Sequence, residues 1–319
     1  MCGAASPPGC GAPATWPAHS CRAPAGGAKG STATFAIVRG AEVVAVAGCV
    51  SSDLHANAST QNSRHDERLM LVREWRSYPA MMKVGLCGFT IAAEQYYRLF
   101  PVLEIQQTFY DPPPIATIQR WRDEAPADFE FTLKAWQVIT HAAASRTYRR
   151  MKRAFSDRER QEFGNFRVNE TTRRALDVSL EAAATLRATA MLFQCPPSFR
   201  PTDENLANMR QFFAASPRPE GLRFLWEPRG AWPDEVIASV CRDCDLAHVV
   251  DPFLRDTVTP SPLTYWRLHG KGSHYRAYTE DELAELFSRV PKNAETYVMF
   301  NNIPRVNDAK RFLSLDRNA

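Results

Sequence analysis

The feature that most constrains this chain is an alternation that begins at Met82. From there to the C-terminus, short apolar runs alternate with amphipathic stretches. Eight runs are present: KVGLCGF from Lys83, VLEIQQTFY from Val102, FEFTLKAW from Phe129, TAMLFQCP from Thr189, RFLWEPR from Arg223, AHVVD from Ala247, TYWRLHG from Thr264 and ETYVMFNN from Glu295. Runs of this kind suit parallel strands covered on both faces. Between most of them lie helix candidates. AAEQYYRLF, TIQRWRDEA, TRRALDVSLEAAATLRA, TDENLANMRQFFAA (with a capping-box pattern at Thr202), PDEVIASVCRDC and TEDELAELFSRV carry apolar positions at helical spacing. Eight β/α units within about 240 residues predict an α/β fold, a closed (β/α)8 TIM barrel. The competitor is an open doubly wound sheet, but no Gly-rich phosphate fingerprint follows the first strand. The connection between the sixth and seventh strands breaks the pattern. Pro252, Pro260, Pro262 and β-branched Thr257, Val258 and Thr259 disfavour a helix there.

Residues 1–81 read differently. Up to about Gly30 the sequence is Ala, Gly and Pro with little else, too poor in large apolar groups to offset ordering entropy. A hairpin over 33–50 and a short helix over 66–76 are the only elements suggested. The segment is expected to be a largely disordered or loosely structured extension to a barrel domain at 82–319. Met82-Lys83-Val84-Gly85 reads like a natural start. Residues 33–50, the most apolar early run, are broken by Arg39 and Glu42, and the first Arg is Arg22, so neither a membrane helix nor a secretory leader is expected. A net charge of +4 does not call for a nucleic-acid or membrane partner. The eight cysteines are expected to be reduced thiols of a soluble, cytoplasmic protein. Cys241 and Cys244 form a CxxC within a helical pattern, expected to be one packed and one exposed thiol.

In a closed barrel, residues at the C-terminal strand ends face a mouth where essentially all characterised barrel enzymes work. Those positions are unusually polar here. They hold Glu104, Gln106, Thr108 and Tyr110 on the second strand, and Lys134, Trp136, Thr140 and His141 on and after the third. Gln194 ends the fourth, Glu227 and Arg229 the fifth, and Asp251 the sixth. Arg267, His269 and Lys271 follow on the seventh, and Asn301 and Asn302 end the eighth. Ionisable groups on buried strands are costly unless paired or serving a site. Each has a structural alternative, with Glu104 simply pairing with Lys134 or Arg267, but seven successive strands delivering polar groups to one end points to a ligand or catalytic site.

The segments MKVGLCGF, LEIQQTFYDPP, RWRDEAPADFEFTLKAWQVITH, FQCPPSF, WEPRG, RLHG and FNN, in this order, resemble the YecE-like family, the proteins carrying domain of unknown function 72. The likeness runs from about Lys83 to the C-terminus. It implies a TIM barrel, a family role that is not established, and a sugar-isomerase-like label that rests on fold analogy. Carried over by motif, the implied positions are Glu104, Lys134, His141, Gln194, Glu227, Arg229, Asp251, Arg267, His269 and Asn301. Residues 1–81 have no counterpart in the family pattern.

The expected function is that of a YecE-like barrel enzyme acting on a small polar or anionic, sugar-like substrate by acid–base chemistry of isomerase or hydrolase type. Glu104, Glu227, His269 and Asp251 form the candidate catalytic set, with the two glutamates as a carboxylate pair whose pKa values split. Lys134, His141, Gln194, Arg229, Arg267 and Asn301 are candidates for holding substrate. Six of these tips, those of Glu104, Lys134, Glu227, Arg267, His269 and Asn301, are expected to line one cavity on the order of 10 Å across. No nucleotide-cofactor signature is present and no cofactor is identified. A divalent metal on Glu104, Glu227, Asp251 and His269 is chemically acceptable, but adjacent cations and the lack of a spacing signature argue against it. The alternative function is a nucleic-acid-associated or non-catalytic binding protein. It would use Arg146, Arg149, Arg150, Lys152 and Arg153 around Tyr148, a run that also reads as a solvated face balanced by Asp157, Glu159 and Glu162, or as a lid.

Overall fold

A computed structural model describes residues 81–259 and 261–316. The readings made for residues 1–80 lie outside them. The described chain forms eight parallel strands closed in sequence order: β1 Met82–Cys87, β2 Val102–Ile105, β3 Glu130–Lys134, β4 Ala190–Gln194, β5 Arg223–Glu227, β6 Ala247–Val250, β7 Leu263–Leu268 and β8 Glu295–Phe300. β1 pairs β8 over five residues, from Met82 opposite Thr296 to Leu86 opposite Phe300, which closes the barrel. The carbonyl of Met81 accepts from Thr296 N at 2.7 Å, so the seam starts one residue upstream of the Met82 boundary.

The outer layer comprises helices α1 Ala93–Leu99, α2 Gln107–Tyr110, α3 Ile115–Glu124, α4 Asp157–Gln161, α5 Glu170–Leu186, α6 Asp203–Ala215, α7 Asp234–Cys244, α8 Glu280–Ser288 and α9 Arg305–Asp316. Thr202 caps α6 by accepting from Asn205 N, but position N3 is Asn205 rather than Glu or Gln, and only half of the expected box forms. The full box forms at α8, between Thr279 and Glu282. Among the described residues, no helix lies between β6 and β7.

Strand faces divide the core. Cys87, Val102, Leu192, Leu225, Val249, Tyr265 and Met299 fill the barrel interior, while Leu86, Leu103, Phe131, Phe193, Trp226 and Phe300 pack outward under the helices. This is the period of two expected of strands with an inner and an outer apolar face. Gly85 is required by close approach, since a Cβ there would lie 2.2 Å from Val102 O. The N-terminal end of the barrel holds an ionic network that the sequence reading did not anticipate. Glu295 pairs with Lys83 at 2.5 Å and with Arg223, and Tyr297 donates to Glu130 at 2.7 Å.

Two local readings are corrected. β2 stops at Ile105, because Gln106 turns into the helical region (φ −96°, ψ −25°) and starts the single turn α2. Thr108 and Tyr110 therefore do not end a strand, and the Thr108 hydroxyl donates to Lys134 O at 2.7 Å. Cys241 and Cys244 are both buried, at 3% and 4% exposure. Their i, i+3 spacing puts both on one helix stripe, which faces the barrel.

Candidate active site at the barrel mouth

β7 supplies the centre of the site. The period of two points Tyr265 and Arg267 inward and leaves His269, just past the strand, on the same face. The Arg267 guanidinium is 1% exposed and sits between two carboxylates. Its Nη2 donates to Glu104 Oε1 at 2.9 Å and its Nε to Glu104 Oε2 at 3.1 Å, while Nη1 donates to Glu227 Oε2 at 2.5 Å. Glu104 is fully buried and also accepts from the Tyr265 hydroxyl at 2.9 Å and from Gln106. The Tyr265 hydroxyl contacts Thr132 Oγ1 at 2.8 Å, tying β7 to β3.

Glu227 ends β5, and Pro228, which has no N–H for the ladder, follows it. Arg229 folds back over the carboxylate, with Nη2 3.0 Å from Glu227 Oε1. Gln194, opposite Glu227 in the β4–β5 register, donates to its Oε2 at 2.9 Å and accepts from Lys134 Nζ at 2.6 Å. Burial pushes the Glu227 carboxyl up, but the Arg267 and Arg229 guanidiniums outweigh it and hold it below the usual carboxylate range. Burial, helped by Arg267, pulls the Lys134 ammonium down to about 7. Its Nζ also lies 3.7 Å from the centre of the Phe109 ring. His141 is buried beside the same ring, 5.0 Å between centroids, with Nδ1 2.8 Å from Thr140 Oγ1. Burial, then Lys134 and Arg229, lower it to about 3.

His269 stands above this charged floor, partly exposed. Asp251 Oδ2 accepts from the His269 backbone N–H at 3.0 Å and lies 3.5 Å from Nδ1. On the other side of the ring, Nε2 is 2.7 Å from Arg229 Nη2. A guanidinium can only donate, so Nε2 accepts and the ring proton sits on Nδ1, facing Asp251. A cavity of about 920 Å³ opens over this group, with Glu227, Arg229, Asp251, His269, Gly270 and Asn301 in its wall. Among the described residues, no group of three or more His, Cys, Asp or Glu side chains gathers as a metal site would require.

The family model described as "Protein of unknown function DUF72" matches residues 75–318. The chain belongs to this family. It is 28% identical over 117 residues to the UPF0759 protein YunF of Bacillus subtilis (strain 168), an alignment covering 37% of this chain and 36% of that protein. Two solved DUF72 proteins share the fold. One from Enterococcus faecalis V583 has a TM-score of 0.57 at 22% identity, covering 75% of this chain and 98% of that one. One from Thermotoga maritima MSB8 has a TM-score of 0.54 at 20% identity, covering 74% and 98%.

In this DUF72 chain the residues singled out from sequence meet at the mouth, but not in one cavity. Glu104, Lys134 and Arg267 pack at 0%, 3% and 1% exposure as a layer beneath it. Gln194 bridges Lys134 to Glu227, and His141 lies beside Lys134 under Phe109. Glu227, Arg229, Asp251, His269 and Asn301 reach the cavity above. A second cavity of about 680 Å³ lies on the β1–β2 side and shares Asn301 with the first.

Tyr265 and Arg305 were missed in the sequence reading. Tyr265 stands two residues from Arg267 on β7, so strand periodicity would have found it. Arg305 belongs to α9 and carried no such signal. Tyr148 is corrected: it is buried, with its hydroxyl donating to His141 O at 2.7 Å, and does not present a stacking face. The expected acidic balance of the basic run also fails at two positions. Glu159 pairs with Arg174 at 2.5 Å, and Glu162 accepts from Thr171 at 2.5 Å.

Proposed function

We propose that the mouth performs proton transfer on a small, oxygen-rich carbonyl substrate, with His269 as the base. The observation that supports this most directly is the Asp251–His269–Arg229 arrangement on the cavity wall. Asp251 Oδ2, 3.5 Å from Nδ1, favours the tautomer whose Nε2 lone pair faces Arg229, above Arg267 and Glu227. Arg229, exposed enough to move, is the group that an incoming oxygen would engage, and doing so releases Nε2. A proton leaving the carbon beside the carbonyl would pass to Nε2. The C–H pair would form the carbon–carbon double bond as the carbonyl π pair moves onto oxygen, where Arg229 stabilises the enolate. Return of the proton to the same carbon gives exchange with solvent, and its return to the neighbouring carbon, as the adjacent hydroxyl proton passes to the enolate oxygen, completes an isomerisation.

This reading changes the roles expected of the two glutamates. A carboxylate that accepts from Arg267, Tyr265 and Gln106 at zero exposure, and another held by Arg267, Arg229 and Gln194, are poorly placed as acid and base. They are better described as positioning residues that fix Arg267, with Glu227 also seating Arg229 until a ligand engages it.

The test is solvent exchange. Sugars, hydroxyketones and their phosphates are incubated with the protein in D2O, and deuterium entering at the carbon beside the carbonyl is followed by NMR. Protein-dependent exchange that falls on the order of 100-fold or more in His269→Gln supports the reading. Exchange that survives this substitution, or its absence across the whole panel, overturns it.

A further inference from the structure

The second cavity has a different character from the first. The first mixes Arg229 and Arg255 with Glu227 and Asp251, so its fixed charges balance. The second carries three cations, Arg150, Lys152 and Arg305, against the single carboxylate of Asp111. They come from separate parts of the chain. Arg305 opens α9 after β8, and Arg150 and Lys152 sit in the long connection between β3 and β4. Arg305 donates from Nη1 to Cys87 O at 2.5 Å, while its Nε is buried with no hydrogen-bond partner. An unpartnered, buried N–H on a cation leaves capacity for an oxygen acceptor. The Arg150 guanidinium carbon lies 3.6 Å from the centre of the Tyr110 ring, which places the cation at the rim. Asp111 accepts from the Lys152 backbone N–H at 3.0 Å, so this carboxylate holds the loop in place.

We propose that this second cavity is a subsite for a phosphate monoester, the charged end of the substrate whose reacting carbon lies beside His269. The substrate assignment rests on the proton-transfer reading above; the anion subsite itself does not. Asn301, shared by both cavities, is where such a ligand would pass from one to the other. Phosphate sites built after the seventh and eighth strands, with help from a helix N-terminus, recur in this fold, and Arg305 occupies such a place. A phosphodiester of nucleic acid offers similar oxygens, but the geometry favours a small ligand. Tyr148 is buried and offers no ring to stack a base. Arg153 is engaged by the Trp136 ring at 4.8 Å and Asp111 at 3.9 Å.

The experiment is calorimetric titration of the full chain with inorganic phosphate and, separately, with a short oligothymidylate. Arg305→Ala and the surface change Lys152→Ala should each weaken phosphate binding about ten-fold or more, as loss of a charge-assisted contact implies. His269→Gln should leave phosphate binding unchanged. Unchanged affinity in both cation variants, or no phosphate binding by the parent chain, overturns the subsite. Tighter binding of oligothymidylate that depends on Arg146 and Arg149, outside the cavity, overturns it as well. Because the solvent-exchange test depends on His269 and this one on Arg305 and Lys152, either reading can fail while the other stands.

Discussion

Replacing Arg267 with Met should destabilise the barrel by several kilocalories per mole, in a pH-dependent way. The substitution keeps the length and apolar stem of the side chain and removes the guanidinium. Two buried carboxylates then lose their shared cation. Glu104 loses Nε and Nη2, and Glu227 loses the 2.5 Å contact to Nη1, all at exposures of 7% or less. Breaking a buried ion pair by removing one partner costs roughly 3–5 kcal/mol, because the remaining charge stays buried. Two partners are orphaned here, but Tyr265, Gln106, Gln194 and Arg229 still donate to them, which argues for the same range rather than twice it. At about 2–4 °C per kcal/mol for a domain of this size, the melting temperature should fall by roughly 6–20 °C. The loss should shrink in acid, because the Glu227 carboxyl that Arg267 holds low in the wild type takes up a proton there in either protein. Circular dichroism melts at neutral and acidic pH measure both effects. A fall of less than about 3 °C at neutral pH, well under the range implied for a buried pair, would refute the idea that this cation is held by charges needing it.

Three further outcomes follow from the same geometry. Asp251→Asn should lower the proposed exchange activity on the order of 100-fold or more with little change in melting temperature, because the ring loses the charge that fixes its tautomer; unchanged exchange in NMR assays would count against the relay. Lys134→Met should raise the melting temperature more at pH 7 than at pH 10. The folded value near 7 lies below the unfolded one, so the wild-type lysine's destabilising effect is small at high pH and grows as pH falls toward 7; a gain independent of pH would contradict this. Burial raises the Glu295 carboxyl, but hydrogen bonds from Arg223 and Lys83 outweigh it and bring it to about 2. The stability it contributes is therefore present above the unfolded carboxylate value and lost as pH falls toward 2, so Glu295→Gln should flatten the acid limb of the stability curve, read from urea midpoints between neutral pH and acid.

What could be read before the structure was the part governed by periodicity. Eight runs buried on both faces dictate strands, and helical spacing dictates what lies between them. Barrel closure follows from number and order, so Glu104, Glu227 and Arg267 could be sent to one end without knowing any contact. Depth could not be read the same way. Whether a strand-end side chain reaches the cavity or packs below it depends on register across neighbouring strands, and register between parallel strands has no local sequence code. Glu104 lies opposite Cys87 and Thr132, well down in the barrel, whereas Asp251 lies just beyond the end of β6. Arg305 was invisible for a different reason: a basic residue opening a helix is an ordinary surface feature until the fold places it beside the end of β1. The CxxC error was avoidable, since i, i+3 residues share a helix face and should have been read as buried together.

The layering explains why so many charges gather where so few touch solvent. On β7 and β5 the functional residues come as i, i+2 pairs: Arg267 below His269, and Glu227 below Arg229. Successive inward positions along a strand occupy successive layers of a barrel, so each pair supplies one group to a charged floor and one to the cavity above. The floor is locked: Arg267 cannot swing toward a ligand without stranding Glu104 and Glu227. The upper layer is looser, because Arg229 is 38% exposed and Glu227 keeps Arg267 and Gln194 as partners if Arg229 turns away. A site built this way keeps its electrostatic field fixed while its contact groups adapt. Under the proposed function, specificity would lie in the upper layer and in the neighbouring cationic cavity, with the buried glutamates holding the field in place.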